Sequence, residues 1–167
     1  MAILNILQFP DPRLRRICLP VPEISDEIRR LAADMLETMY DAPGRGLAGP
    51  QVGALLRIFV MDVTWREGEA RPFVCINPEI LAFSDETAVF TEGCLSIPEV
   101  PGEVTRPAEI VLAWTDLNGQ RQQKRMSGLE AVCAQHEFDH LNGRLCIDLM
   151  SEPARFAASP RLQAMTL

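Results

Sequence analysis

The residues best suited to chemistry lie in one short segment, His136-Glu137-Phe138-Asp139-His140. Its two histidines are the only ones in the chain. On a helix, their spacing places both imidazoles on one face, where they can bind the same metal ion. Glu137 would then stand beside a metal-activated water without occupying a coordination position. The segment therefore predicts a metal-dependent hydrolase.

A catalytic metal site of this kind normally has three protein ligands and one open position. With no third histidine in the chain, a downstream ligand would have to come from the tail around Glu152, which prolines interrupt. Cys94 is the better candidate, because it lies in a polar, glycine-containing segment after a predicted strand. We therefore predict a metal site made of Cys94, His136 and His140, with one position left for water.

Two other functions use the same residues. One is a metalloprotease of the HExxH type with a different third ligand, and the lack of a downstream ligand weakens it. The other is a non-enzymatic protein in which Cys94 and the histidines hold a structural metal. Glu137 weakens this alternative, because a closed structural site needs a fourth ligand and has no use for a base.

The histidine pair is predicted to lie on a helix that starts after Ser127. Ser127 and Glu130 fit a capping box, and the helix should end near Asn142 and Gly143, where a glycine can adopt the left-handed conformation. An earlier helix is predicted from its N-cap Ser25 to residue 41 by the spacing of its apolar residues. We expect an extended arm at residues 10–22 and a tail after about residue 151 that is poorly ordered.

Strands are predicted where Ile, Val, Phe and Thr are concentrated between turn residues. These segments are residues 56–63, 73–77, 79–90, 108–115 and 120–126. Asn118-Gly119 is a strong hairpin signal between the last two. The glycine-rich residues 44–53 and the proline-rich residues 97–102 are predicted to be loops.

Three segments resemble the signature motifs of the peptide deformylases. They are Gly-Arg-Gly-Leu-Ala-Gly-Pro-Gln at residues 44–51, Glu-Gly-Cys-Leu-Ser at 92–96 and Gln-His-Glu-Phe-Asp-His at 135–140. The resemblance spans nearly the whole chain. It implies an α+β fold, with small antiparallel sheets around a central metal-binding helix, in a single catalytic domain over residues 1–167. It also implies removal of the N-terminal formyl group from formylmethionine of newly synthesised polypeptides, with release of formate.

The resemblance also implies roles for individual residues. It makes Glu137 the general base and later acid, and it makes the Gln51 side chain and the Leu95 backbone N–H donors to the substrate oxygen. Donors aimed at that oxygen suit the negative charge that develops there during hydrolysis. The implied metal ligands are Cys94, His136 and His140. The substrate is expected to add as an extended strand and to contact Gly46, Leu47, Gly93 and Cys133.

The implied cofactor is one divalent metal ion. Thiolate and imidazole ligands suit zinc, cobalt, nickel and iron alike, and the family implies Fe(II). The implied partners are N-terminal formylmethionyl peptides of nascent chains, with transient ribosome contact as a further expectation. The formal net charge of −7 argues against a broad nucleic-acid-binding or lipid-binding face. Apolar runs are too short for a membrane span and the first residues lack signal-peptide features, so we expect a cytoplasmic protein.

The chain departs from the family pattern at two positions of the first motif. Gly49 stands where a second alanine is usual, and it should loosen the loop that carries Gln51. Arg45 stands where an aliphatic residue is usual, and it should place a cation near the peptide path. A deformylase-like paralogue with reduced or shifted activity is therefore an alternative.

Overall fold

The computed structural model describes residues 2–167, which contain three α-helices and seven β-strands. The helices are α1 (Asp26–Asp41), α2 (Gly128–Leu141) and α3 (Glu152–Met165). The strands are β1 (Gly46–Ala48), β2 (Ile58–Met61), β3 (Phe73–Phe83), β4 (Thr87–Cys94), β5 (Ile97–Pro107), β6 (Glu109–Thr115) and β7 (Arg121–Ser127). No helix within residues 2–167 has the length and apolar character needed to cross a bilayer.

The strands form two antiparallel sheets. Five of them follow the order β1-β2-β3-β6-β7, and β4 and β5 form a separate hairpin. β2 is buried on both faces: Ile58 and Val60 pack with side chains of α1, whereas Phe59 and Met61 pack with side chains of α2. The α+β fold with small antiparallel sheets around α2 is the one that the sequence predicted, and it is confirmed.

Two predicted loops are strands in the structure. Part of residues 44–53 forms β1. This glycine-rich segment is extended because it pairs with β2. Residues 97–102 begin β5, which pairs with β4. Proline is tolerated there because β5 has an outer edge, where a missing N–H breaks no hydrogen bond between strands.

The predicted break between strands at residue 78 is also wrong, because β3 continues through it with a register shift against β6.

The observed helix ends agree with the predicted ones only in part. Ser25 accepts a hydrogen bond from the Ile28 N–H at the start of α1, as predicted. The capping box predicted for α2 is wrong: Ser127 makes no side-chain cap, and Glu130 instead accepts from Lys124 Nζ at 2.9 Å. The tail after residue 151 is helix α3 rather than an irregular segment, because Pro153 lies in its first turn, where no N–H is needed.

Gly143 ends α2 in the left-handed conformation that the sequence predicted, with φ of 73°. A Cβ at this position would also collide with the Arg15 backbone carbonyl. We expect Gly143→Ala to lower the free energy of unfolding by about 2–4 kcal/mol, measured by urea denaturation. Gly119 is the control, because it has φ of 80° but no atom within 4 Å of the position that a Cβ would occupy. If the Gly143 and Gly119 variants lost equal amounts of unfolding free energy, the predicted collision with Arg15 would be contradicted.

Candidate metal centre

Three side chains of metal-binding type meet where the β4–β5 hairpin contacts α2. His136 and His140 are on one face of α2, and their ring centroids are 5.0 Å apart. Cys94 ends β4, with its Sγ 3.5 Å from Nε2 of His140. The ligand atoms of the three residues all lie within 4.8 Å of one another. A thiolate and an imidazole bound to one tetrahedral ion would be about 3.6 Å apart, so these side chains fit a shared divalent metal.

A buried acidic residue orients one of the two imidazoles. His136 Nδ1 donates to Glu92 Oε1 at 2.9 Å, so its Nε2 remains available for a metal. Arg106 donates to both oxygens of Glu92, at 2.6 and 2.9 Å, and to Asp139 at 2.8 Å. Burial raises the pKa of Glu92, but the hydrogen bonds from His136 and Arg106 outweigh it, and the pKa lies below the usual range. Glu92 is therefore an ionised group that holds the ring of His136.

Arg106 should contribute to stability far more than an exposed arginine does. Its side chain is 5% exposed, and its loss would leave Glu92 charged, buried and without its cationic partner. We expect Arg106→Gln to lower the free energy of unfolding by about 3–5 kcal/mol and to weaken metal binding by about 10–100-fold. The control is Arg121→Gln, which breaks an exposed ion pair with Glu79 and should cost about 1 kcal/mol or less. Urea denaturation and metal titration measure both effects, and equal losses in the two variants would contradict the prediction.

Glu137 lies beside the three metal-binding side chains. Its side chain is 3% exposed, and its Oε1 is 4.0 Å from His136 Nε2. Its other oxygen, Oε2, is buried and has no hydrogen-bond partner within residues 2–167. Burial raises the pKa of Glu137 to about 7. This carboxyl group can therefore take up and release a proton near neutral pH.

The amide of Gln51 faces the same centre. Its Oε1 accepts from the Ala48 N–H at 2.9 Å, which directs the Nε2 group toward Cys94 Sγ at 3.6 Å and Ser96 Oγ at 3.1 Å. The loop that carries Gln51 is well packed rather than loosened by Gly49. Gly49 is buried, and a Cβ on it would come within 2.6 Å of the Ala54 carbonyl oxygen.

A cavity of about 420 Å³ opens next to the three metal-binding side chains, and most of the predicted substrate contacts line it. Gly46 forms part of its wall, directly against α2. Only glycine fits there, because a Cβ would lie 2.8 Å from the Glu137 carboxyl group and 2.9 Å from Cys133 Sγ. Leu47 lies apart from the cavity: its side chain is fully buried in the cluster with α1. The predicted residues that line the cavity are Gly46, Gln51, Gly93, Cys94, Leu95, Cys133, His136 and Glu137.

The sequence interpretation missed the acidic and basic residues that support the histidines. Alternation along β4 places Glu92 on the same face as Cys94, so a strand assigned through residue 94 would have indicated it. Arg106 and Asp139 had no local signal, because their pairing depends on how β5 packs against α2.

The comparisons with known proteins agree with the three motifs. A sequence profile described as Polypeptide deformylase matches residues 3–156. The chain belongs to the polypeptide deformylase family. A peptide deformylase from Afipia carboxidovorans is 54% identical over 155 residues, which cover 93% of this chain and 91% of that protein. One from Acinetobacter baumannii is 50% identical over 151 residues, covering 90% and 85%.

Solved structures of deformylases share this fold. A peptide deformylase from Legionella pneumophila has a TM-score of 0.90 and 39% identity, covering 99% of this chain and 96% of that one. The peptide deformylase from Thermotoga maritima has a TM-score of 0.85 and 42% identity, covering 90% and 99%. Peptide deformylases are metal-dependent hydrolases that remove the N-terminal formyl group of nascent polypeptides, so the predicted activity is confirmed at the level of the family. The metalloprotease alternative is thereby set aside.

Proposed function

We propose that this chain hydrolyses the formyl amide of formylmethionyl nascent chains, with Cys94, His136 and His140 as metal ligands and Glu137 as the proton carrier. The observation that carries the proposal is the buried Glu137 oxygen without a partner beside a cluster of three metal-binding side chains. A structural metal site would have no use for such a group. We further propose that the whole chain acts as a single catalytic domain.

A divalent ion held by these three residues would act as a Lewis acid on the formyl carbonyl and on a water molecule. Glu137 accepts the proton of the attacking water, because its carboxyl group lines the cavity and its Oε2 has no other hydrogen-bond partner within residues 2–167. The same carboxyl group then returns the proton to the departing amine, and formate is released. One residue therefore serves as both base and acid.

Gln51 and Leu95 act on the substrate oxygen in the proposed reaction. The hydrogen bond from the Ala48 N–H fixes the Gln51 amide, so its NH₂ group can donate without first reorienting. The backbone N–H of Leu95 is the second donor, in the segment directly after Cys94. Fixed neutral donors stabilise the negative charge that develops on this oxygen, and the loss of one typically costs about 100-fold or more in rate.

The open edge of β1 is the proposed track for the peptide backbone. Asp62 N–H donates to the Arg45 carbonyl at 2.8 Å, one residue beyond the paired residues Gly46 and Met61 of β1 and β2. By the alternation of antiparallel pairs, the backbone groups of Gly46 then point away from β2. A peptide added at this edge gains main-chain hydrogen bonds whatever its sequence. Cys133, Gly93 and the Leu95 side chain border the space for the methionine.

Fe(II) is the metal that we propose for the cell, with nickel, cobalt and zinc as other ions that the same ligands accept. The proposed substrates, nascent chains, lead us to propose the cytoplasm as the location. Transient ribosome contact stays a prediction without an assigned surface. The basic segment at residues 121–125 does not favour it, because Arg121, Lys124 and Arg125 are each paired with a carboxylate.

The test is formate release by anaerobically purified protein loaded with Fe(II) or Ni(II). Formyl-Met-Ala-Ser should yield one formate for each new amino terminus, whereas acetyl-Met-Ala-Ser should react far more slowly. Unstructured casein tests the protease alternative, and it should remain intact. Full metal occupancy without formate release, or cleavage of casein, would overturn the proposal.

A further inference from the structure

Two arginines without acidic partners line the cavity. They are Arg45, before the first residue of β1, and Arg66, in the connection between β2 and β3. Within residues 2–167, no carboxylate oxygen lies within 4.0 Å of either guanidinium group. This absence is unexpected in a chain with a formal net charge of −7, where carboxylates outnumber cations.

Arg45 has a buried donor that nothing in residues 2–167 satisfies. Its backbone is fixed, because its carbonyl accepts from the Asp62 N–H at 2.8 Å and from Cys133 Sγ at 3.5 Å. Its Nε is buried and has no hydrogen-bond partner. A buried N–H without an acceptor is unfavourable, so a ligand that brings an acceptor to this position is favoured.

Arg66 is held at the rim of the same cavity. One of its guanidinium nitrogens, Nη2, donates to the Pro43 carbonyl, and the guanidinium lies 5.5 Å from the centre of the Trp65 ring. Trp65 is fixed in turn, because its Nε1 donates to the Gly44 carbonyl at 3.0 Å. These contacts keep the Arg66 charge at the rim while leaving other guanidinium donors available.

The acidic residues that line the cavity do not compensate these two cations. Glu92 pairs with Arg106 and accepts a hydrogen bond from His136. Glu137 is buried beside the metal-binding side chains, where its oxygens serve the reaction. Glu99 pairs with Arg161 of α3 at 3.1 Å. The rim of the cavity therefore presents positive charge to a bound peptide.

We propose that Arg45 and Arg66 make this enzyme selective for formylmethionyl peptides with an acidic side chain in the two residues that follow the methionine. The proposal rests on the proposed function, because it is the peptide added along β1 that carries the selected side chain past Arg45. The two cations differ in environment: Arg45 is partly buried, whereas Arg66 is exposed. Arg45 should therefore contribute more of the selectivity, since a desolvated charge is screened less by salt.

The test compares kcat/KM for formyl-Met-Glu-Ala with that for formyl-Met-Gln-Ala, and likewise for formyl-Met-Ala-Glu and formyl-Met-Ala-Gln. Glutamine keeps the size and polarity of glutamate and removes only its charge. In at least one pair, we expect the glutamate peptide to be favoured about fivefold at low ionic strength, with a smaller ratio in 0.5 M salt. Arg45→Gln should remove most of that preference, and Arg45→Lys should keep part of it.

The control for net charge is Arg30→Gln, because Arg30 is exposed on α1 and, among residues 2–167, neither forms an ion pair nor lines the cavity. This variant should keep the wild-type ratio. If no peptide is deformylated, the proposed function fails, and selectivity is then measured as the binding of the matching acetylated peptides to the metal-loaded protein. Equal values for glutamate and glutamine in both pairs, or a ratio that Arg45→Gln leaves unchanged, would overturn the selectivity.

Discussion

Replacing Glu137 with glutamine should lower kcat by about 1,000-fold and leave the bound metal in place. Glutamine has nearly the same shape as glutamate, so the cavity wall beside Gly46 and Cys133 should be preserved. It cannot accept a proton from water, and it cannot protonate the departing amine. The variant therefore removes both proton transfers from the proposed reaction while the metal-binding side chains are untouched. Metal content, by mass spectrometry, and formate release measure the two effects in one preparation.

The matched control for this variant is Glu130→Gln on the same helix. Glu130 pairs with Lys124 and does not line the cavity, so its replacement should change kcat less than twofold. A Glu137→Gln enzyme that retains more than about a tenth of the wild-type rate would show that another group carries the proton.

Replacing Cys94 with alanine should remove the metal and with it all activity. Structural zinc sites with four protein ligands bind the ion with a free energy of about 10–16 kcal/mol, or roughly 3 kcal/mol for each ligand. Losing one ligand should therefore weaken metal binding by at least about 100-fold. The Sγ of Cys94 is the only thiol sulfur among residues 2–167 that the structure groups with His136 and His140. Metal titration followed by mass spectrometry tests the expectation.

Cys18→Ala is the control for a general effect of losing a buried thiol. Cys18 is also buried, but it lies in the cluster of the five-stranded sheet rather than with the histidines. Its variant should bind metal as the wild type does. Full metal occupancy in the Cys94→Ala protein would contradict the proposed ligand set.

The sequence predicted which side chains meet at the site better than it predicted the local structure around them. The spacing of His136 and His140 fixes their common helix face, and Cys94 was identified because it alone among the cysteines lies in a polar segment. These properties are local, so one stretch of sequence is enough to show them. The Arg106–Glu92–His136 arrangement joins β5, β4 and α2, and such a contact depends on tertiary packing that no local pattern contains.

The errors in secondary structure have the same origin. β1 and β5 contain glycine or proline and have weak strand propensity, yet each is extended because a neighbouring strand is available for pairing. Ser127 and Glu130 have the spacing of a capping box, but Lys124 on β7 takes the carboxylate instead. In each case a partner distant in sequence, or on another element, overrides the preference of the segment itself.

The position of the metal-binding residues on two separate units has a mechanical consequence. The β4–β5 hairpin is a sheet of its own, separate from the five-stranded sheet, and Cys94 at its tip meets His140 of α2. An ion shared by these side chains would act as a cross-link between hairpin and helix. Occupancy by metal would then suppress local opening of the hairpin, because its separation from α2 would require the release of the ion.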